Sequence, residues 1–227
     1  MDLQSIGVSH ASTQATAAPR AGVIRTAMYN FVKRGIDITA SLAAILILSP
    51  FLAVFAFIIK RQDGGSILYT HTRVGKNGRE FKFYKFRSMI RDADRLKDQL
   101  ASLNQHADAR TFKMKDDPRI TPFGRILRRY SLDELPQFFN VLKGDMSLVG
   151  PRPPLPREVA LYTPEDMRRL EVTPGLTCLW QIRGRGNLPF EEQVKLDVEY
   201  IERRSLLLDL EILAQTLPAV MSGRGAY

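Results

Sequence analysis

Ile38-Thr39-Ala40-Ser41-Leu42-Ala43-Ala44-Ile45-Leu46-Ile47-Leu48-Ser49-Pro50-Phe51-Leu52-Ala53-Val54-Phe55-Ala56-Phe57-Ile58-Ile59 runs without a charged side chain through a sequence that is otherwise one-quarter charged. A run of this length is ordinarily a transmembrane helix. Two features disagree. Ser49-Pro50 falls near the middle, where proline removes a backbone donor and biases the preceding residue away from helix. The flanks, Lys33-Arg34 and Lys60-Arg61, are basic on both sides, so positive charge gives no orientation and draws both ends to the same face. A sharp bend at Ser49-Pro50 leaves two arms, each too short for a ~30 Å hydrocarbon core. The segment then enters and leaves by one face, with the Ser49 hydroxyl available for a carbonyl freed by the proline. A kinked single span is the alternative, and charge and proline placement do not choose between them.

The flanks of this segment define the rest. Residues 1 to 29 are rich in Ala, Ser and Thr without apolar periodicity, the pattern of a flexible tail with no secretory signal. Residues 30–62 form the membrane element and 63–227 a cytoplasmic domain with membrane-interface helices. A net charge of +9 over 227 residues calls for an anionic partner: nucleic acid, anionic membrane or phosphorylated substrate. One cysteine, Cys178, excludes an intrachain disulfide. With only His10, His71 and His106 beside it, zinc is excluded, and a metal would be a hard cation on oxygen ligands.

Past Asp63-Gly64-Gly65, Ser66–Val74 and Arg79–Phe86 read as two strands joined at Asn77-Gly78, a strong hairpin signal. Lys82, Lys85 and Arg87 interleave with Phe81, Phe83 and Phe86, which reads as a basic row opposite an aromatic one. The rest is largely helical by spacing: Ile90–Leu103 as an exposed helix, Pro118–Arg129, Phe190–Arg204, and Ser205–Val220 stopped near Pro218. The fold class is α+β, mainly helical, with a small β-hairpin.

Asp133-Glu134 sits among Arg119, Arg125, Arg128 and Arg129, an acidic pair in a cationic field. Its plainer reading is a helix start. Ser131 and Glu134 match a capping box, although Pro136 suits Asp133 as the cap better. The glycine-rich turns Gly144–Pro154 and Pro174–Gly186 suit a phosphate, or simply a turn.

Four motifs occur in order: Lys85-Phe86-Arg87-Ser88-Met89, Ser131-Leu132-Asp133-Glu134-Leu135-Pro136-Gln137, Gly144-Asp145-Met146-Ser147-Leu148-Val149-Gly150-Pro151-Arg152-Pro153, and Pro174-Gly175-Leu176-Thr177. Together, behind a Ser-Pro membrane segment, they closely resemble the bacterial sugar transferases, the monotopic phosphoglycosyl transferases, from about Lys33 to Leu213. The likeness is to their short form, without the extra N-terminal membrane domain of larger members. It implies a re-entrant helix broken at Ser49 and Pro50, and both termini on the cytoplasmic face of a bacterial inner membrane.

The resemblance also implies a reaction: sugar-1-phosphate passes from a UDP-sugar to undecaprenyl phosphate, releasing UMP, with Mg²⁺. This is the first membrane step of an exopolysaccharide, capsule or O-antigen-type glycan, with downstream glycosyltransferases as further partners and no nucleic acid. By motif, Asp133 is the nucleophile and Glu134 helps hold Mg²⁺. Lys85, Arg87, Arg119 and Arg152 are candidates for the cationic shell, and Arg185 for nucleotide or sugar. Asp197 and Asp209 match a C-terminal pattern that solvation or capping also explains. The sequence departs from the family at His71, Cys178 and Arg183, in loops that could line the sugar. A membrane-tethered protein that binds anionic lipid or nucleic acid is the competing reading of the charge.

Overall fold

The charge-free stretch lies inside one 44-residue helix, α1 (Arg20–Asp63), in a computed structural model that describes residues 20–93, 95–96 and 117–223. Residues 24–63 form a helix long and apolar enough to cross a membrane. The expected tail is therefore shorter than 29 residues, since α1 already begins at Arg20. Helical structure continues through Pro50. Local chemistry accounts for part of this. Pro50 cannot donate to the Leu46 carbonyl four residues back, and the Ser49 hydroxyl donates to it at 2.8 Å.

Both ends of α1 are fastened to the remainder of the chain. Near its start, Arg34 donates to the carbonyls of Val141 and Leu142, and Asp37 accepts from the Ser147 hydroxyl and the Leu148 amide. Near its end, Ile59 is buried with Phe86 and Leu127, and Phe55 meets Phe86 and Phe123 edge-on. Between them Leu42, Leu46, Ile47 and Phe51 stay exposed.

Strands β1 (Leu68–Val74) and β2 (Glu80–Phe86) pair antiparallel. The turn falls at the expected place, in a five-residue connection (75–79) where Asn77 (φ 55°) and Gly78 (φ 78°) are both left-handed. The side-chain phase differs from the sequence reading. A period of two places Lys85 and Arg87 on the face of Phe81 and Phe83, and across the register Tyr69 stands opposite Lys85. The basic row is not opposite the aromatic one, and Lys85 Nζ lies 5.7 Å from the Phe83 ring centre.

Helix α2 (Pro122–Arg129) starts at Thr121, whose hydroxyl accepts from the Gly124 amide. Helix α3 (Gln137–Lys143) packs on β2 through Asn140, which accepts from the Tyr84 amide and donates to the Lys82 carbonyl. Strand β3 (Ser147–Val149) pairs parallel with β4 (Gly175–Thr177). Their approach needs glycine: a Cβ on Gly175 would meet the Gly150 backbone at 2.0 Å. Short helices α4 (Pro156–Val159) and α5 (Leu179–Arg183) precede α6 (Phe190–Arg203) and α7 (Leu206–Ser222). The Ser205 hydroxyl caps α7, which runs through Pro218 rather than ending there. The main core joins Phe81 and Phe83 to Val141, Met146, Leu148, Val149, Leu179, Tyr200 and Ile212. Most of the helix expected at residues 90–103 lies outside the described residues.

Candidate active site

Asp133 and Glu134 occupy a single 3₁₀ turn (Leu132–Glu134) between α2 and α3. The capping reading of this turn is corrected by its geometry. Ser131 is left-handed (φ 52°) and makes no capping bond, and α3 begins after Pro136 without a side-chain cap. Asp133 is instead buried, and both carboxylates line a cavity of about 530 Å³.

Two cations converge on Glu134. Lys85 Nζ lies 2.7 Å from Oε1, and both terminal nitrogens of Arg152 lie 3.2 Å from the same oxygen. Lys85 also reaches Asp133 Oδ2 at 3.5 Å. The two acids titrate in opposite directions. Burial pushes the Asp133 carboxyl up, with Glu134 adding to this and Lys85 opposing it. Burial acts on Glu134 the same way, but Lys85 and Arg152 outweigh it and hold the carboxyl at about 2. Such a split separates a fixed anion from a group whose charge depends on what enters the cavity.

All five cations proposed from the sequence line this cavity, but they are not equivalent. Arg87 is held by Asp63 (3.0 Å) and thereby ties the end of α1 to the site wall. Arg119 is buried and chelated by Asp117 (2.9 Å and 2.6 Å). Arg185 donates one nitrogen to the Ser131 hydroxyl at 3.3 Å, while its Nη1 is buried without a hydrogen-bond partner. It also takes a left-handed backbone (φ 51°), costly for a residue with a side chain.

Sequence reasoning missed Arg73. It is half-buried in the cavity wall, bonded to the Pro153 carbonyl at 2.8 Å, and its buried Nε has no partner. Burial, with Arg152 nearby, lowers its guanidinium to about 10. The available signal was alternation: Tyr69, His71 and Arg73 share one face of β1 and all line the cavity. Burial and the charges of Arg73, Lys85 and Arg152 lower His71 to about 3. Arg128, Trp180 and Gln181 are also part of the wall.

The central amides of the first glycine-rich turn are already taken. Ser147 N, Leu148 N and Gly150 N are bonded to Pro174 O, Asp37 and Thr177 O. Of the three departures from the family pattern, only His71 lines the cavity. Arg183 pairs with Glu199, and Cys178 is buried with its thiol donated to Gln181 and its pKa pushed up by burial. Asp197 and Asp209 lie away from the cavity in buried pairs, Asp197 with Arg169 and Asp209 with Lys33 and Tyr200. Neither is a solvated or capping carboxylate.

What the arrangement can do is hold a polyanion against a buried carboxylate. Residues 28–223 match the family model described as "Bacterial sugar transferase". The galactosyl transferase CpsE of Streptococcus agalactiae is 50% identical over 195 residues, covering 86% of this chain and 43% of that protein. The exopolysaccharide production protein ExoY of Sinorhizobium fredii is 43% identical over 86% of this chain and 88% of its own length. The undecaprenyl-phosphate galactose phosphotransferase of Salmonella typhimurium is 42% identical over 87% of this chain and 42% of its own. The chain thus spans less than half of two of these relatives and most of the third. With 196 consecutive residues matched, 28 through 223, the chain belongs to the bacterial sugar transferase family.

Proposed function

We propose that the protein is a phosphoglycosyl transferase that moves sugar-1-phosphate from a UDP-sugar to undecaprenyl phosphate. The observation that carries this reading is the Asp133–Glu134 pair in the wall of a guanidinium-rich cavity. The relatives named for undecaprenyl-phosphate sugar phosphotransfer and for exopolysaccharide production support it.

In the first step an Asp133 oxygen attacks the β-phosphorus of the donor. The bond from that phosphorus to the bridging oxygen breaks, and UMP leaves with that oxygen. In the second, a phosphate oxygen of the lipid attacks the aspartyl-phosphosugar, releasing the Asp133 carboxylate and forming the lipid diphosphosugar. Splitting the exchange this way lets nucleotide and lipid use one site in turn. Arg152, Arg185 and Arg73 supply fixed positive charge where the leaving phosphate accumulates negative charge.

Among the described residues no group of three or more His, Cys, Asp or Glu side chains could hold a metal. The cavity offers two carboxylates. That donor set fits Mg²⁺, which keeps several waters and binds through one or two carboxylates plus substrate phosphates. Among the described residues the hydrogen bonds to Glu134 fall on Oε1, which makes Oε2 its metal-facing candidate. Mg²⁺ bound there would neutralise the donor diphosphate.

The double anchorage of α1 on one body supports a membrane element that returns to the face it entered, with both termini cytoplasmic. The test of the chemistry is Asp133→Asn with donor carrying ³²P at the β-position. Wild type should release UMP and retain acid-stable label on the protein after quenching, and the variant neither, with membrane association intact. Turnover by the variant, or product without labelled protein, would replace the covalent route by direct attack of the lipid phosphate.

A further inference from the structure

Strand β1 contributes Tyr69, His71 and Arg73 to the wall of the Asp133 cavity. The buried Phe83 ring on β2 supports this row. His71 meets that ring edge-on with 5.4 Å between centres, and the Arg73 guanidinium stands 5.3 Å and Lys85 Nζ 5.7 Å from the same centre. On its other side His71 lies 5.4 Å from the Tyr69 ring. The imidazole is thus held between two aromatic rings, beside the ammonium that bridges Asp133 and Glu134.

The wall is rich in donors and poor in open acceptors. Arg73, Lys85, Arg152 and Arg185 offer only N–H groups. Lys85 and Arg152 already occupy Glu134 Oε1, Arg185 the Ser131 hydroxyl, and Cys178 the Gln181 side-chain oxygen. His71 differs from all of these. Burial and the charges of Arg73, Lys85 and Arg152 keep it neutral at neutral pH. A hydrogen bond to the Thr72 backbone favours a proton on one ring nitrogen, which leaves the other as a lone-pair acceptor. The diphosphate of a UDP-sugar brings acceptors alone and has nothing to give such a nitrogen. The group that meets it must carry a proton, as a hydroxyl or a nucleobase N–H does.

Position selects between these two. In the reaction proposed above the β-phosphorus sits at Asp133, and the sugar hangs from it by a single oxygen. The uracil N–H is removed by a further phosphate and the ribose. We propose that His71 accepts a hydrogen bond from a hydroxyl of the transferred sugar, with the Tyr69 ring against the sugar's C–H face, and so selects the donor by its hydroxyl pattern. The inference rests on the transferase reading and on Asp133 as the point of attack.

The experiment assays UMP release by the full chain in detergent, on its best UDP-hexose and on that donor deoxygenated at one hydroxyl at a time. For wild type, one deoxy donor should lose about tenfold or more in kcat/KM. His71→Phe keeps a ring but has no acceptor. It should lower kcat/KM for the parent donor by a similar factor and abolish the penalty for that one deoxy donor, with the other penalties retained. His71→Gln, whose side-chain oxygen is again an acceptor, should restore part of the discrimination. Competitive inhibition by UMP, which carries the base and one phosphate but no transferred sugar, should be equal in all variants. Melting temperature reports folding, and His71→Leu serves if the phenylalanine variant misfolds. Unchanged discrimination without the imidazole would overturn the proposal. So would UMP inhibition weakened as much as turnover, which would put His71 at the nucleotide. Wild type that releases no UMP from any UDP-sugar is a distinct result, removing the transferase reading and this proposal with it.

Discussion

Lys85 Nζ sits 2.7 Å from Glu134 and points its remaining reach at Asp133, 3.5 Å away, so one ammonium bridges both acids of the site. Removing it by Lys85→Ala should leave Glu134 to Arg152 alone and deprive Asp133 of its nearest compensating charge. We expect UMP release to fall on the order of 10²–10³-fold, the scale for loss of one preorganised charge-stabilising group. Steady-state assay of kcat checks this. An effect confined to KM would make Lys85 a ground-state binder only.

His71 offers a pH test. Its folded pKa is about 3, depressed from the ordinary 6.5 by burial and three neighbouring cations. Below pH 6.5 the unfolded chain binds a proton at this position that the folded chain refuses. Its contribution to stability is therefore whole above pH 6.5 and is lost progressively as pH falls toward 3. NMR of the imidazole should show the neutral form down to pH 5. The melting temperature of His71→Gln should fall less between pH 7 and pH 5 than that of wild type. Addition of UDP should raise the imidazole pKa, because a polyanion offsets Arg73, Lys85 and Arg152.

Asp197 is fully buried against Arg169, with 2.6 Å between the nearest atoms. Asp197→Ala should strand a buried guanidinium and cost about 3–5 kcal/mol of stability. Denaturant unfolding in detergent measures it. A loss of activity with unchanged stability would instead make Asp197 a site residue.

For α1, single cysteines at residues 1 and 227 in a Cys178→Ser background should both react only from the cytoplasmic side of oriented vesicles. Labelling from opposite sides would make α1 a simple span. Ser49→Ala should weaken the local helix by about 1 kcal/mol, the worth of the bond to Leu46.

The chain order of helices and the hairpin were legible because apolar spacing, the Asn77-Gly78 turn and the charge-free run are local signals. Lys85, Asp133, Glu134 and Arg152 of the motifs, together with Arg185, all line one cavity. What failed were questions of phase and partner. Alternation in sequence hides that residues 81, 83 and 85 share one side of β2, which puts Lys85 beside Phe83 and not opposite it. Capping at Ser131 failed because its left-handed backbone turns the chain before a helix can begin. Arg87 and Arg119 looked like free cations, yet Asp63 and Asp117, near in space or sequence, hold them. The glycine turns looked like phosphate cradles, but their amides bond a second strand that no local pattern announces.

Asn140 carries a further consequence. A two-stranded hairpin leaves its outer backbone groups open, an invitation to pair with another chain. Here the carboxamide of Asn140 occupies the Lys82 carbonyl and the Tyr84 amide on that side, mimicking one step of a third strand. The sheet is thus closed off by a side chain. With that step filled, the β2 edge offers less to a partner strand, and Asn140→Leu should reveal this as concentration-dependent self-association.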